Sequence, residues 1–321
     1  GVPDTVELER STLIQMMPSR LRRKIFDENI MFRPGRTFAV RNMDRTQANL
    51  ARLGIFSGIE INVFPDTTVR DERLLNVGID CTFDTPLETS LEVNASSKSN
   101  SYIGPGLTFG VTNKNIFGGG EQLSVKLTGS YEWQTGRGRR GSVFNSYEVG
   151  ITGSLAFPRL LAPKFIPRSR YQLNWTRIQL NADLLNRPHY FKMAQFNASI
   201  NYDWRVRRHV QNTLTLFKLT YTNLMHTTHE FDSIMAANPS VAQSFKSQFI
   251  PQMSYTYVYD RQINPDNTIN WQFTVQEAGN IFWAIYRACG KKGEKELFGT
   301  PFSQFVKGQT QLVWGRRILY G

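Results

Sequence analysis

From residue 87 onward the chain alternates. Leu87, Thr89, Leu91, Val93 and Ala95 lie between Glu88, Ser90, Glu92, Asn94 and Ser96. A period of two predicts a strand with one apolar and one polar face. The same pattern marks residues 123–133, 147–157, 196–205 and 269–276, and more weakly 107–111, 178–184, 214–221, 253–259 and 306–314. Leu216 and Phe217 break the phase by one, which predicts a bulge. The pattern yields about ten strands of roughly the ~9–11 residues that a tilted membrane strand needs. Strands of soluble proteins average only ~5–6 residues. Several apolar faces end in aromatics (Tyr131/Trp133, Tyr202/Trp204, Tyr257/Tyr259), as interfacial girdles do. A soluble sandwich alternates too, but the strand length favours an antiparallel transmembrane β-barrel.

The links between these segments differ in length. Residues 205–209 and 260–267 are short turns. Residues 224–245 are not strand-like and read as a long loop with helical turns at 226–235 and 241–245. A second long link, 281–302, carries the run Lys291-Lys292-Gly293-Glu294-Lys295. Short turns at one end and long loops at the other fit a barrel.

Residues 1–86 read as a small α+β domain, leaving 87–321 to the barrel. A short strand is expected at 12–17, and Ser19 after Pro18 as the cap of a helix through Leu21 and Ile25. Arg33-Pro34-Gly35 is a turn signal. A helix over 40–53 sets Met43, Leu50 and Leu53 on one face, with Gly54 as its C′ residue. Ile59, Ile61 and Val63 make one strand; Leu75, Val77, Ile79 and Cys81 make another. The expected order is strand, helix, helix, strand, strand.

Composition narrows the class. The 321 residues carry a net charge of +12 and are 40 % hydrophobic and 12 % aromatic; their mean hydropathy is −0.37. No apolar run approaches ~18 residues, which excludes a helical membrane protein. So many aromatics exclude a disordered chain. Two cysteines, Cys81 and Cys289, exclude a disulfide framework or a Cys-rich zinc site, and they are not expected to pair. High aromatic content under a polar average suits a barrel whose strands give every second residue to water. The first twenty residues show no basic end followed by an apolar core, so localisation must be read from the body of the chain.

Residues 32–64, FRPGRTFAVRNMDRTQANLARLGIFSGIEINVF, resemble a POTRA module, the periplasmic domain of the BamA/TamA outer-membrane insertase family. The Arg-Pro-Gly turn, the helix ending Leu50-x-x-Leu53-Gly54-x-Phe56 and the following strand match in order. Residues 106–120, GLTFGVTNKNIFGGG, resemble the family's second barrel strand and its periplasmic turn, carried here by Asn115, Phe117, Gly118 and Gly120. Residues 154–158 resemble the end of the fourth strand. Within the family the chain looks most like the TamA-like lipoprotein branch of Bacteroidetes called TamL. Family barrels have sixteen strands, and about ten are legible here. The family's Val-Arg-Gly-Phe/Tyr motif and its aromatic-ended last strand have no match, so the expectation is that further strands lie outside this chain.

The resemblance implies an outer-membrane protein with its N-terminal domain in the periplasm, assembling and inserting β-barrel clients without covalent chemistry or a cofactor. Its implied partners are outer-membrane lipids and lipopolysaccharide, unfolded client outer-membrane proteins, and a periplasmic or inner-membrane partner met through the POTRA module. Clients would be templated on a lateral seam at Leu87, Thr89, Leu91, Val93 and Ala95. Ser96, Ser97, Ser99, Asn100 and Ser101 are poor sheet formers that would weaken the seam, or they are a plain polar loop. Ile59, Ile61 and Val63 offer a second edge for strand addition.

Two other classes remain open: a closed ten-stranded barrel hydrolase (protease or lipase) and a passive porin. A hydrolase needs His with Asp or Ser at converging loop tips. His226-x-x-His229 with Glu230 and Asp232 is the one dense cluster, and two histidines make a weak metal site. His189 and His209 have no evident nucleophile beside them. Gly118-Gly119-Gly120 is a turn, not a phosphate loop, for no Lys-Ser/Thr follows. The POTRA-like module argues against a porin. The run Arg137-Gly138-Arg139-Arg140 would meet lipopolysaccharide phosphates or simply water. Arg20, Arg22, Arg23 and Lys24 would meet lipid headgroups or an acidic partner. No nucleic-acid motif is present, and nucleic acid is not an expected partner.

Overall fold

A computed structural model of the chain describes residues 4–8, 11–16, 20–66, 74–97, 102–134, 145–161, 174–188, 190–245, 247–288, 296–297 and 300–317. The first part runs β1 (Asp4–Glu7), β2 (Thr12–Gln15), α1 (Lys24–Asn29), α2 (Val40–Arg52), β3 (Phe56–Pro65) and β4 (Leu75–Phe83). β1 and β2 form one hairpin and β3 and β4 another. Two differences from expectation appear. A strand precedes the expected first one and pairs with it. The first helix begins at Lys24, after Arg23, with no side-chain cap; Ser19 lies outside the described residues.

α2 begins and ends as its sequence predicts. Gly54 follows it at φ 69°, the left-handed region that a C′ glycine reaches without a Cβ clash. Its apolar stripe puts Leu50 and Leu53 in a core with Ile25, Phe26, Ile55 and Phe56. Each such side chain contributes about 1.5–3 kcal/mol by leaving water. Thr46 is buried because its hydroxyl donates to the Asn42 carbonyl (2.8 Å) and accepts from the Met31 N–H (3.0 Å).

The rest is one antiparallel sheet of ten strands. They are β5 (Leu87–Ser97), β6 (Tyr102–Asn113), β7 (Gln122–Gln134), β8 (Asn145–Phe157), β9 (Trp175–Arg187), β10 (Phe191–Arg207), β11 (Val210–Thr227), β12 (Gln248–Asn264), β13 (Asn267–Ala278) and β16 (Phe305–Arg316). Each pairs with its neighbour in chain order, and β5 and β16 are the two edges. Helices α3 (His229–Ala237) and α4 (Pro239–Phe245) lie between β11 and β12. Helix α5 (Asn280–Ala288) and the two-residue strands β14 (Glu296–Leu297) and β15 (Thr300–Pro301) lie between β13 and β16. The link at 158–174 is long although its neighbours at that end are turns, and the 188–190 link is short at the opposite end. Link length therefore alternates less regularly than the sequence suggested.

Register carries the apolar positions across the sheet. Leu91, Phe109, Leu127, Ile151, Ala182, Phe196, Tyr221 and Phe249 form one unbroken row of direct partners across eight strands. On the other face run Ser90, Gly110, Lys126, Thr152, Asn181, Asn197 and Thr220. That face is knitted by side-chain hydrogen bonds: Thr152 to Asn181 (2.6 Å), Thr220 to Asn197 (2.8 Å), Thr215 to Asn201 (2.8 Å) and Thr213 to Asp203 (2.7 Å). The phase break lies where the sequence puts it, since Ile200 pairs with Phe217 and Asn201 with Thr215, leaving Leu216 as the extra residue.

Away from the base of β10, where Tyr202 and Trp204 are buried in a cluster with Leu160, burial is inverted relative to a soluble sheet. Leu180 is 60 % exposed and Phe196 50 % on the apolar face, while Thr152, Asn181 and Asn197 on the polar face are only partly exposed. Glycines show which face is concave. A Cβ added at Gly104, Gly106, Gly110, Gly150 or Gly315, all on the polar face, would crowd cross-strand atoms of Tyr131, Asn94, Ser90, Asp183 and Thr268. At Gly129, Gly153 and Gly308, on the apolar face, it would meet nothing within 4 Å. The sheet curls toward its polar side and presents its apolar side outward.

Candidate functional site

Two places gather the residues of interest: the β5 edge, and the turn between β6 and β7 where the N-terminal elements meet the sheet. At the edge, Leu87, Thr89, Leu91, Val93 and Ala95 share the apolar face and pair with Asn113, Val111, Phe109, Leu107 and Pro105. The ladder on the β6 side continues through Ser96 and Ser97; residues 98–101 lie outside the described set. The other side of β5 has no partner strand among the described residues. Every β5 residue is exposed, Val93 at 74 %. Its eleven residues, at ~3.3 Å rise and a tilt near 40°, span roughly 28 Å, about the hydrocarbon thickness.

The β6–β7 turn is a joint. Asn115 Oδ1 accepts from the Gly120 N–H (2.9 Å), closing the turn on itself. Gly118 and Gly120 have φ of 81° and 73°. Gly118 also admits the chain from the N-terminal part: its carbonyl accepts from the Arg22 N–H (2.6 Å), and a Cβ there would overlap the Arg20 carbonyl oxygen. Phe117 is half exposed. Gln122 Nε2 donates to the Leu53 carbonyl at the end of α2 (3.2 Å).

At the centre sits Glu121, 1 % exposed. One carboxylate oxygen accepts from the Gly119 N–H (2.6 Å); the other faces Arg22 at 3.6 Å and Arg159 at 3.4 Å. Three segments thus converge on one acid: the strand turn, the start of α1 and the β8–β9 link. Arg22, expected to seek an outside acid, finds one within the chain. Sequence reasoning missed Glu121 and Arg159, although an acid directly after three glycines was the available sign. A second clamp holds the start of β5: Lys114 Nζ meets Asp84 (2.7 Å) and Glu88 (3.2 Å). Lys114 holds the Asp84 carboxyl below its ordinary value by hydrogen bonding, helped by the Thr85 N–H, and Lys114 is raised in turn.

The remaining candidates fall apart in space. Ile59, Ile61 and Val63 lie on β3, paired with Cys81, Ile79 and Val77. A groove of about 1710 Å³ runs along β4, the 30–38 loop and β2 rather than along β3. His226 is on β11, opposite Lys192, and His229 opens α3. They are therefore not on one helix, which corrects the expected helical turn at 226–228. Thr228 caps α3 by accepting from the Phe231 N–H (3.3 Å). No cluster of three or more metal-ligating side chains occurs among the described residues. The sequence runs at 137–140 and 291–295, His189 and Cys289 lie outside them.

No family model matches the chain, and no curated protein does. Solved structures do resemble it. BamA from Haemophilus ducreyi lacking POTRA domains 1–3 is 11 % identical with a TM-score of 0.32, over 81 % of this chain and 54 % of that one. CdiB from Escherichia coli is 12 % identical with a TM-score of 0.41, over 80 % and 52 %. CdiB from Acinetobacter baumannii is 10 % identical with a TM-score of 0.38, over 81 % and 50 %. The chain spans about half the length of each. Likeness at this level establishes neither family nor activity.

Proposed function

We propose that this chain is the POTRA-like domain (residues 1–86) and the first ten wall strands (87–321) of an outer-membrane barrel that inserts other β-barrel proteins, of the BamA/TamA kind and nearest to TamL. The observation that carries the reading is β5: a membrane-length strand, apolar on its convex face, with one whole edge unpaired among the described residues. Unpaired backbone groups in lipid cost several kcal/mol each, so such an edge favours an incoming client strand. The client gains main-chain hydrogen bonds as it enters, and no covalent step or cofactor is needed. The N-terminal domain would lie in the periplasm, because it docks on the turn motif that the family keeps on that side. Clients, lipopolysaccharide and a periplasmic or inner-membrane partner remain part of this reading. The ten-stranded hydrolase alternative needs β5 paired with β16, and no such pairing occurs among the described residues.

The test is disulfide crosslinking of an unfolded client barrel to Leu91→Cys or Val93→Cys in a chain lacking Cys81 and Cys289. The reading expects crosslinks at these positions and not at Leu127→Cys in mid-sheet. Equal yields at all three would overturn it.

A further inference from the structure

We propose that the outward rim at the base of the sheet, the end bearing the N-terminal domain, is a belt that binds the phosphates of anionic glycerophospholipids. This rests on the barrel reading above. The belt is Arg207, Arg261 and Arg316. Arg207 pairs with Val210, which pairs with Tyr259. Arg261 follows Tyr259 by two and pairs with Ile269, which pairs with Trp314; Arg316 follows Trp314 by two. Direct partners and i, i+2 neighbours share a face. All three arginines are therefore on the convex apolar face.

Just above them on that face stand Tyr257, Tyr259, Trp271 and Trp314, with Tyr257 and Trp271 edge to face at 5.7 Å. An aromatic girdle marks the membrane–water interface. A cation one step beyond it, with its stem on the apolar wall, sits at the level of lipid phosphates. The three side chains are exposed, and none has a carboxylate partner among the described residues. Arg261 instead reaches the Tyr259 hydroxyl (3.5 Å). A guanidinium grips a phosphate with two parallel hydrogen bonds, and three on the strands β10, β12 and β16 make a charged arc. Net anionic headgroups are favoured over zwitterionic ones, whose own ammonium competes.

The full chain is placed in bilayers of phosphatidylcholine with a minor share of phosphatidylglycerol, and the motionally restricted fraction of each spin-labelled lipid is read by EPR. The expected result is a severalfold preference for phosphatidylglycerol, bounded by about fivefold per arginine. R207Q/R261Q/R316Q brings it to parity. R207K/R261K/R316K keeps most of it, which separates charge from misfolding. K126Q/K218Q/K307Q removes the same charge from the polar face and leaves the preference intact. No preference in the parent chain, or equal loss in both neutralised variants, overturns the proposal while leaving the barrel reading standing. Absence of any restricted lipid overturns the barrel reading, and the belt with it.

Discussion

Replacing Glu121 tests how the N-terminal domain is held. The carboxylate is 1 % exposed and faces two guanidiniums at 3.4 and 3.6 Å and an N–H at 2.6 Å. Breaking a buried ion pair typically costs about 3–5 kcal/mol. Here Arg22 and Arg159 are about half exposed, so water takes over much of their charge once the acid is gone. The loss at Glu121→Ala should therefore be smaller, about 1.5–3 kcal/mol, much of it from the orphaned Gly119 N–H. Glu121→Gln keeps an acceptor for that N–H and should cost about half as much. Urea unfolding in detergent micelles gives the stability difference. A pair of spin labels, one on α2 and one on the β10–β11 turn, gives the docking. Both variants should broaden that distance distribution, and Arg22→Gln should add little once Glu121 is already Gln. A Glu121→Gln protein with parental stability and an unchanged distribution would refute the latch.

Three further outcomes follow from the same contacts. Gly118→Ala should destabilise the joint by about 1–3 kcal/mol, because φ is positive and the new Cβ overlaps the Arg20 carbonyl; Gly129→Ala, in open space on β7, should not, and denaturant midpoints compare them. The folded-state pKa of Asp84 is lowered, so its contribution is present above the unfolded carboxylate value and is lost as pH falls through the lowered one. Lys114 is raised, so its share persists below the ordinary lysine value and fades only as pH rises past the raised one. Lys114→Gln should flatten the acid limb of stability against pH below the ordinary carboxylate value, measured by fluorescence. Burial, with Asp80 second, pushes the Cys81 thiol up to about 11, so iodoacetamide should alkylate it far more slowly at pH 8 than a free thiol of ordinary pKa near 8.5.

The sheet was legible because period two is a local signal and one continuous apolar face repeats it over long strands. Even the bulge at Leu216 could be read, since a one-residue slip moves every later side chain to the other face. The α2 helix was legible for the same reason: its apolar stripe and C′ glycine are local. What stayed hidden depends on contacts between distant segments. Nothing near Glu121 in sequence says that Arg22 and Arg159 come to it. β1, four residues long, is too short for its pattern to stand out. The helical reading of residues 226–228 failed because β11 continues to Thr227, well past the length its alternation suggested.

The central claim is that the convex apolar face meets lipid and the concave polar face meets water. Spin labels placed one at a time from Leu123 to Thr128 on β7, in the full chain reconstituted into bilayers, measure it through collisions with oxygen and with a water-soluble nickel complex. Strict alternation is expected, with oxygen dominating at 123, 125 and 127 and nickel at 124, 126 and 128. Uniform access along the strand, or nickel dominating at 125 and 127, would contradict it.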